Sequence, residues 1–209
     1  MDNQTFNAMV ASFMCHAFST PIGNISNALD MVDDEDEDMR AFARRSLSSS
    51  ADKTRALLEA YRYAFGVPGT EEGEMAQDAV AAFVTNLASS QNFKCEVAVD
   101  PETTPLSIVR IWVALGLVGS GLLSKRTEGT AQLSVVDGEA HLRFEVAGAA
   151  ARLRDALEAA LAGREPPGGW SSKEIHAFHL RRLVDQAGGA MTAEAGDVRV
   201  ALIVRLRVP

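Results

Sequence analysis

Between residues 14 and 32 the apolar positions Met14, Phe18, Ile22, Ile25, Leu29 and Val32 recur at intervals of three and four. That spacing gathers side chains into one stripe of an α-helix and predicts a helix over residues 4–32. A second stripe, Met39, Phe42, Ala43, Leu47, Ala51, Leu57, Leu58, Tyr61 and Phe65, predicts another helix over 38–65. The acidic run at 33–38 reads as a solvated turn whose last carboxylates favour the start of the second helix; no fold element is evident that would fix them around a metal. Two long helices joined by a short turn cannot bury both stripes alone. Pairing with a second copy, to give a homodimeric four-helix bundle, is therefore the physical expectation.

A Gly-Val-Pro-Gly-Thr stretch at 66–70 reads as a linker. Beyond it the pattern changes. Helical periods are expected at 74–90, 105–123, 150–162 and 172–186, and strands at 94–99, 131–136, 140–146, 190–193 and 198–208. Asp137-Gly138 between two of the strands is a strong hairpin signal. Helices interleaved with antiparallel strands predict a two-layer α/β sandwich. The fold class is accordingly α+β, with a helical hairpin over 1–66 and a sandwich domain over 70–209.

Composition narrows the functional classes. The 209 residues are 47% hydrophobic and 23% charged, with a formal net charge of -8, which argues against nucleic acid or an anionic membrane as partner. Cys15 and Cys95 follow no disulfide or metal spacing, and no signal sequence or membrane-spanning run is evident; a cytoplasmic protein is expected. His176 and His179 lie three apart on a predicted helix, but no third ligand is in register, so a chance spacing is favoured over a metal site.

The candidate chemistry sits on the first helix. At ~100° per residue His16 lies about 160° from both Met14 and Phe18, opposite the apolar stripe. Met9, Ser12, Phe13, Ser19, Thr20, Gly23 and Asn27 fall on its side, a strip of mostly small residues with two exposed apolar ones. A lone histidine on a helix is ordinarily a solvated surface residue or a hydrogen-bonded core one. Pro21 points further: it has no N–H to give the Ala17 carbonyl, and a kink just after the histidine is expected.

The pattern His16-x-x-x-Thr20-Pro21-Ile22-Gly23-x-Ile25-x-Asn27-x-Leu29 resembles the phosphoacceptor helix of histidine phosphotransferases of the ChpT type. More distantly it is similar to the dimerisation and phosphotransfer helix of sensor kinases. The resemblance implies that His16 shuttles a phosphoryl group between aspartates of receiver domains, those of a hybrid histidine kinase and of response regulators, in a two-component phosphorelay. It implies a homodimer, and docking of the receiver on the hairpin at Met9, Ser12, Phe13, Thr20, Gly23 and Asn27. Mg²⁺ would sit in the receiver, so that no cofactor or metal is expected in this chain.

The order of later elements resembles the ATP-binding domain of sensor kinases, in degenerate form. Residues 114–121, where such a domain carries a metal-holding Asn, contain none, and residues 146–151, where it carries an adenine-reading acid, contain no acid. A carboxylate that accepts the adenine amine has no substitute in methyl groups; no kinase or ATPase activity is expected. One position departs from the family pattern. The family usually has Asp or Glu directly after the histidine, and here that place holds Ala17. The alternative reading is thus a degenerate, non-catalytic dimeric adaptor that binds receivers or kinases.

Overall fold

The computed structural model describes residues 1–66 and 73–208; most of the expected linker at 66–70 lies outside them. Two antiparallel helices come first, α1 (Asn3–Leu29) and α2 (Glu37–Ala64). Asp2 starts α1, its carboxylate accepting the Thr5 N–H at 2.9 Å. Asp36 starts α2 in the same way, taking the Asp38 N–H at 2.8 Å, with Glu37 and Asp38 in the first turn where the helix dipole favours them. Asp34 accepts the Asp36 N–H, and Arg40 closes over the Asp34 and Glu35 carbonyls at 2.6 and 2.8 Å. The acidic run is therefore a set of caps. No group of side chains suited to a metal occurs among the described residues.

The second part contains α3 (Gln77–Ser89), α4 (Leu106–Ser120), α5 (Asp155–Leu161) and α6 (Ile175–Gln186). Its strands are β1 (Glu74–Ala76), β2 (Cys95–Val99), β3 (Thr103–Pro105), β4 (Glu128–Val136), β5 (Glu139–Ala147), β6 (Ala190–Ala195) and β7 (Arg199–Arg207). Five strands form one sheet in the order β2-β4-β5-β7-β6, with β2 parallel to β4 and every other pair antiparallel. Asp137 and Gly138 turn the β4–β5 hairpin with φ of 51° and 76°, the left-handed pair that a two-residue hairpin turn requires.

Along each central strand alternate residues face the helices. Ala131 and Leu133, then Ala140, Leu142, Phe144 and Val146, then Val200, Leu202, Val204 and Leu206 are all buried. Helix α4 lies closest. An ideal Cβ on Gly119 would stand 2.3 Å from the Phe144 ring, and one on Gly116 would stand 2.8 Å from Val84 Cγ2. Trp112, fully buried, donates its indole N–H to the Val80 carbonyl at 3.0 Å. The architecture is α+β, a helical hairpin followed by a two-layer sheet domain.

Several details differ from expectation, among them the parallel β2–β4 pair where antiparallel strands are expected. The helix expected at 74–90 begins only at Gln77, because Glu74–Ala76 pairs with Thr103–Pro105 as a separate two-stranded ribbon. Three-residue strands are too short for alternation to reveal. Helix α5 covers 155–161 rather than 150–162.

Candidate functional site

Helix α1 runs without interruption through Pro21, which is buried. Ser19 donates its hydroxyl to the Cys15 carbonyl at 2.7 Å, two residues before the Ala17 carbonyl that Pro21 leaves without an amide donor. From Asn3 to Leu29 the helix contains no Asp, Glu, Lys or Arg. In a chain with 48 such residues, 20 basic and 28 acidic, this is a long uncharged element.

The His16 imidazole is exposed and makes no hydrogen bond or ion pair with a described residue. Ser12, Thr20, Gly23 and Asn27 are exposed along the same side of α1, Asn27 about 16 Å further along the helix axis, and an ideal Cβ on Gly23 meets nothing within 4 Å. The face is therefore open, with hydroxyl and amide groups along the side that bears one free imidazole. Ala17, next in sequence, is turned inward and packs against the core.

Phe13 corrects an expectation. It was placed with Met9 as an exposed apolar residue on the His16 side, but both are half-buried. The Phe13 ring packs on Tyr61 and Phe65 of α2, centroids 5.6 and 6.5 Å away, and lies parallel to His176 of α6 at 5.0 Å. The cause is α6. Taken as a two-helix hairpin, α1 centres its apolar stripe on Met14 and Phe18; the sheet domain adds a third helix on the flank ~60° from His16, where Phe6 and Phe13 stand.

Those two phenylalanines meet a cluster of rings that sequence reasoning did not assemble. Phe6 lies 5.8 Å from His179 and 6.2 Å from Phe178, with the Arg182 guanidinium 4.6 Å over its face. Phe65 stacks on His179 at 4.3 Å. The His179 ring also bonds the Ala64 carbonyl through Nε2 at 2.6 Å; a carbonyl only accepts, so Nε2 carries the proton. Arg110 of α4 donates to the same carbonyl at 3.3 Å and to that of Gly66 at 3.0 Å. The end of α2 is thus tied to two helices of the sheet domain.

Burial first, and then the charge of Arg154, lowers the His176 pKa to about 4. Burial also lowers that of His179 to about 4, helped by Arg110 and Arg182 and opposed by the Ala64 hydrogen bond. Both rings are therefore neutral stacking partners, and their three-residue spacing serves packing. The one available signal was Phe6 and Phe13, seven apart on a helix that had nothing else for them to cover.

On the other flank α1 and α2 leave apolar side chains uncovered in a single copy. Ile22, Leu29, Phe42 and Leu58 are 52–57% exposed and Met39 38%. No helix among the described residues is long and apolar enough to cross a membrane.

Known proteins share this fold. The chain is 23% identical over 192 residues to the protein phosphotransferase ChpT of Brucella abortus (strain 2308), covering 90% of this chain and 89% of that protein. The solved structure of a bacterial phosphotransferase superposes with a TM-score of 0.81 at 19% identity, over 98% of this chain and 97% of the other. The catalytic domain of the histidine kinase ThkA matches with a TM-score of 0.50 at 12% identity, over 65% of this chain and 94% of that domain; the sheet domain thus resembles histidine-kinase ATPase domains in fold. The histidine phosphotransferase C-terminal domain family matches residues 76–199, more than half of the chain. The chain belongs to the histidine phosphotransferase family.

Proposed function

We propose that His16 is the phosphoacceptor of this protein, taking a phosphoryl group from the aspartate of one receiver domain and handing it to another in a bacterial phosphorelay. The observation that carries the reading is the exposed, unpartnered imidazole on the open face of α1. In the forward step a ring nitrogen attacks the phosphorus of the aspartyl phosphate. A P–N bond forms while the P–O bond breaks, and the electron pair leaves on the carboxylate. Such transfer needs a nucleophile, in-line geometry and cations. The cation here is Mg²⁺ held by the receiver.

Ser12, Thr20 and Asn27 supply hydrogen-bonding groups to the docked partner, and Gly23 lets it approach closely. The uncovered apolar flank around Ile22, Leu29 and Phe42 meets a second copy to complete a four-helix bundle. We place the protein in the cytoplasm and assign it no nucleotide. What supports the last assignment is the sequence: residues 114–121 contain no Asn to hold a metal and residues 146–151 no acid to read adenine.

The test is transfer from a receiver domain phosphorylated in the presence of Mg²⁺. Label on the wild type, acid-labile and absent from His16→Gln, is expected. Ala17 keeps one other reading in play, since an orienting carboxylate has no counterpart beside His16. Receiver binding with no label on the wild type would establish the adaptor instead.

A further inference from the structure

The sheet domain does not supply ATP chemistry on the reading above, yet it is joined to the phosphoacceptor helix at two points. Phe6 reaches His179 at 5.8 Å, and Phe13 lies on His176 at 5.0 Å with the planes 5° apart. The two phenylalanines are seven residues apart, about 10 Å along the helix. Two contacts so separated on one side of a helix fix its tilt and its roll. His16 is one turn beyond Phe13.

The lever is short. An imidazole nitrogen stands ~6 Å from a helix axis, so a roll of about 10° carries it about 1 Å. A displacement of that size at a reacting atom is enough to cost about 100-fold in rate. The α6 side of the contact is itself held. His179 bonds the Ala64 carbonyl at 2.6 Å and stacks on Phe65, so α6 cannot shift without dragging the end of α2. His176 makes no comparable polar bond: its Nδ1 is sealed from solvent without a partner. An imidazole that leaves a nitrogen unsatisfied in order to lie flat on a phenyl ring is placed there by shape.

We infer that His176 is a positioning residue for phosphotransfer: by stacking on Phe13 it sets the roll of α1 and thereby the direction in which His16 meets a docked receiver. The sheet domain acts as a brace, and its helix α6 is the surface against which the acceptor helix is registered. The inference rests on His16 being the acceptor.

The experiment uses the full chain, with His176→Ala and His176→Phe. Each is labelled in parallel by a phosphorylated receiver domain at varied concentration and by phosphoramidate, a small donor that needs no docked geometry. With the receiver, His176→Ala should lose about tenfold or more in the plateau rate while the half-saturating receiver concentration stays within about twofold. His176→Phe, which keeps a flat ring, should recover most of the rate. With phosphoramidate all three should label alike. Receiver transfer by His176→Ala at the wild-type plateau overturns the inference, as does a His176→Phe as slow as the alanine variant. A wild type that takes label from neither donor removes the acceptor reading itself, and with it this role. Parallel thermal melts separate a variant that is unfolded from one that is folded and slow.

Discussion

Phe13 and His176 lie face to face, 5.0 Å between centroids and 5° between planes. The contact crosses from the first helix to the sixth and joins the helical hairpin to the sheet domain. Its neighbour, the His179 bond to Ala64, does the same for the second helix. Hairpin and sheet domain are therefore one packed body at this end of the molecule, and the consequences are measurable.

His179→Ala should destabilise the chain by about 2–4 kcal/mol, from the lost buried ring and hydrogen bond. The lower end is expected, because Arg110 still donates to the Ala64 carbonyl at 3.3 Å and that acceptor is not orphaned. Urea unfolding at pH 7 measures this; a midpoint equal to wild type would contradict it.

Acid should weaken the fold within a defined window. Both imidazoles are held neutral in the folded chain, each with its pKa lowered to about 4, chiefly by burial. In the unfolded chain a histidine titrates near ~6.5. Between these values the unfolded state binds more protons, so stability is complete above about pH 6.5 and declines as pH falls toward 4. The slope is up to about 1.4 kcal/mol per pH unit for each ring. Arg154 faces His176, and Arg110 and Arg182 face His179; all three cations deepen the effect. Urea midpoints at pH 7, 6 and 5 should fall steadily, and the fall should shrink in His176→Phe.

Gly119→Ala should cost about 1–3 kcal/mol. Its Cβ would arrive 2.3 Å from the Phe144 ring, which is itself 1% exposed and cannot swing away. Thermal melting reads the change directly. Gly23→Ala, whose Cβ meets nothing within 4 Å, is the control: with no clash and a better helix former it should melt no lower than wild type, and up to a few degrees higher.

Leu29→Glu and Ile22→Glu, at positions 57% and 54% exposed in one copy, should leave the monomer folded but separate the proposed dimer. Sedimentation should show a dimer for wild type at micromolar concentration and a monomer for the double variant. A wild type that sediments as a monomer would refute the bundle.

The sequence made the hairpin legible because its two stripes are long and regular, and the sheet legible because Asp137-Gly138 announces a turn between alternating strands. The inward direction of α1 was not legible. Met14 and Phe18 define a seam by themselves, but Phe6 and Phe13 extend it toward a helix more than 160 residues downstream, 163 positions separating Phe13 from His176 and 173 separating Phe6 from His179. No local pattern records such a contact. His176 and His179 were seen as a pair and weighed as ligands; their actual partners, Phe13 and Phe65, belong to other elements. The exposure of His16 followed from periodicity, because it lies about 160° from Met14 and Phe18 and stays ~60° outside the flank that α6 covers.

The absence of fixed charge along Asn3–Leu29 has a bearing on reversibility. On the proposed reading a dianionic phosphoryl group held there would find dipoles on its own helix and no counter-ion. On α1 itself nothing neutralises it, and the Mg²⁺ proposed for the visiting domain departs with that domain. A carrier so made has little means of trapping its cargo, and the direction of flow passes to whichever visitor binds the group more tightly.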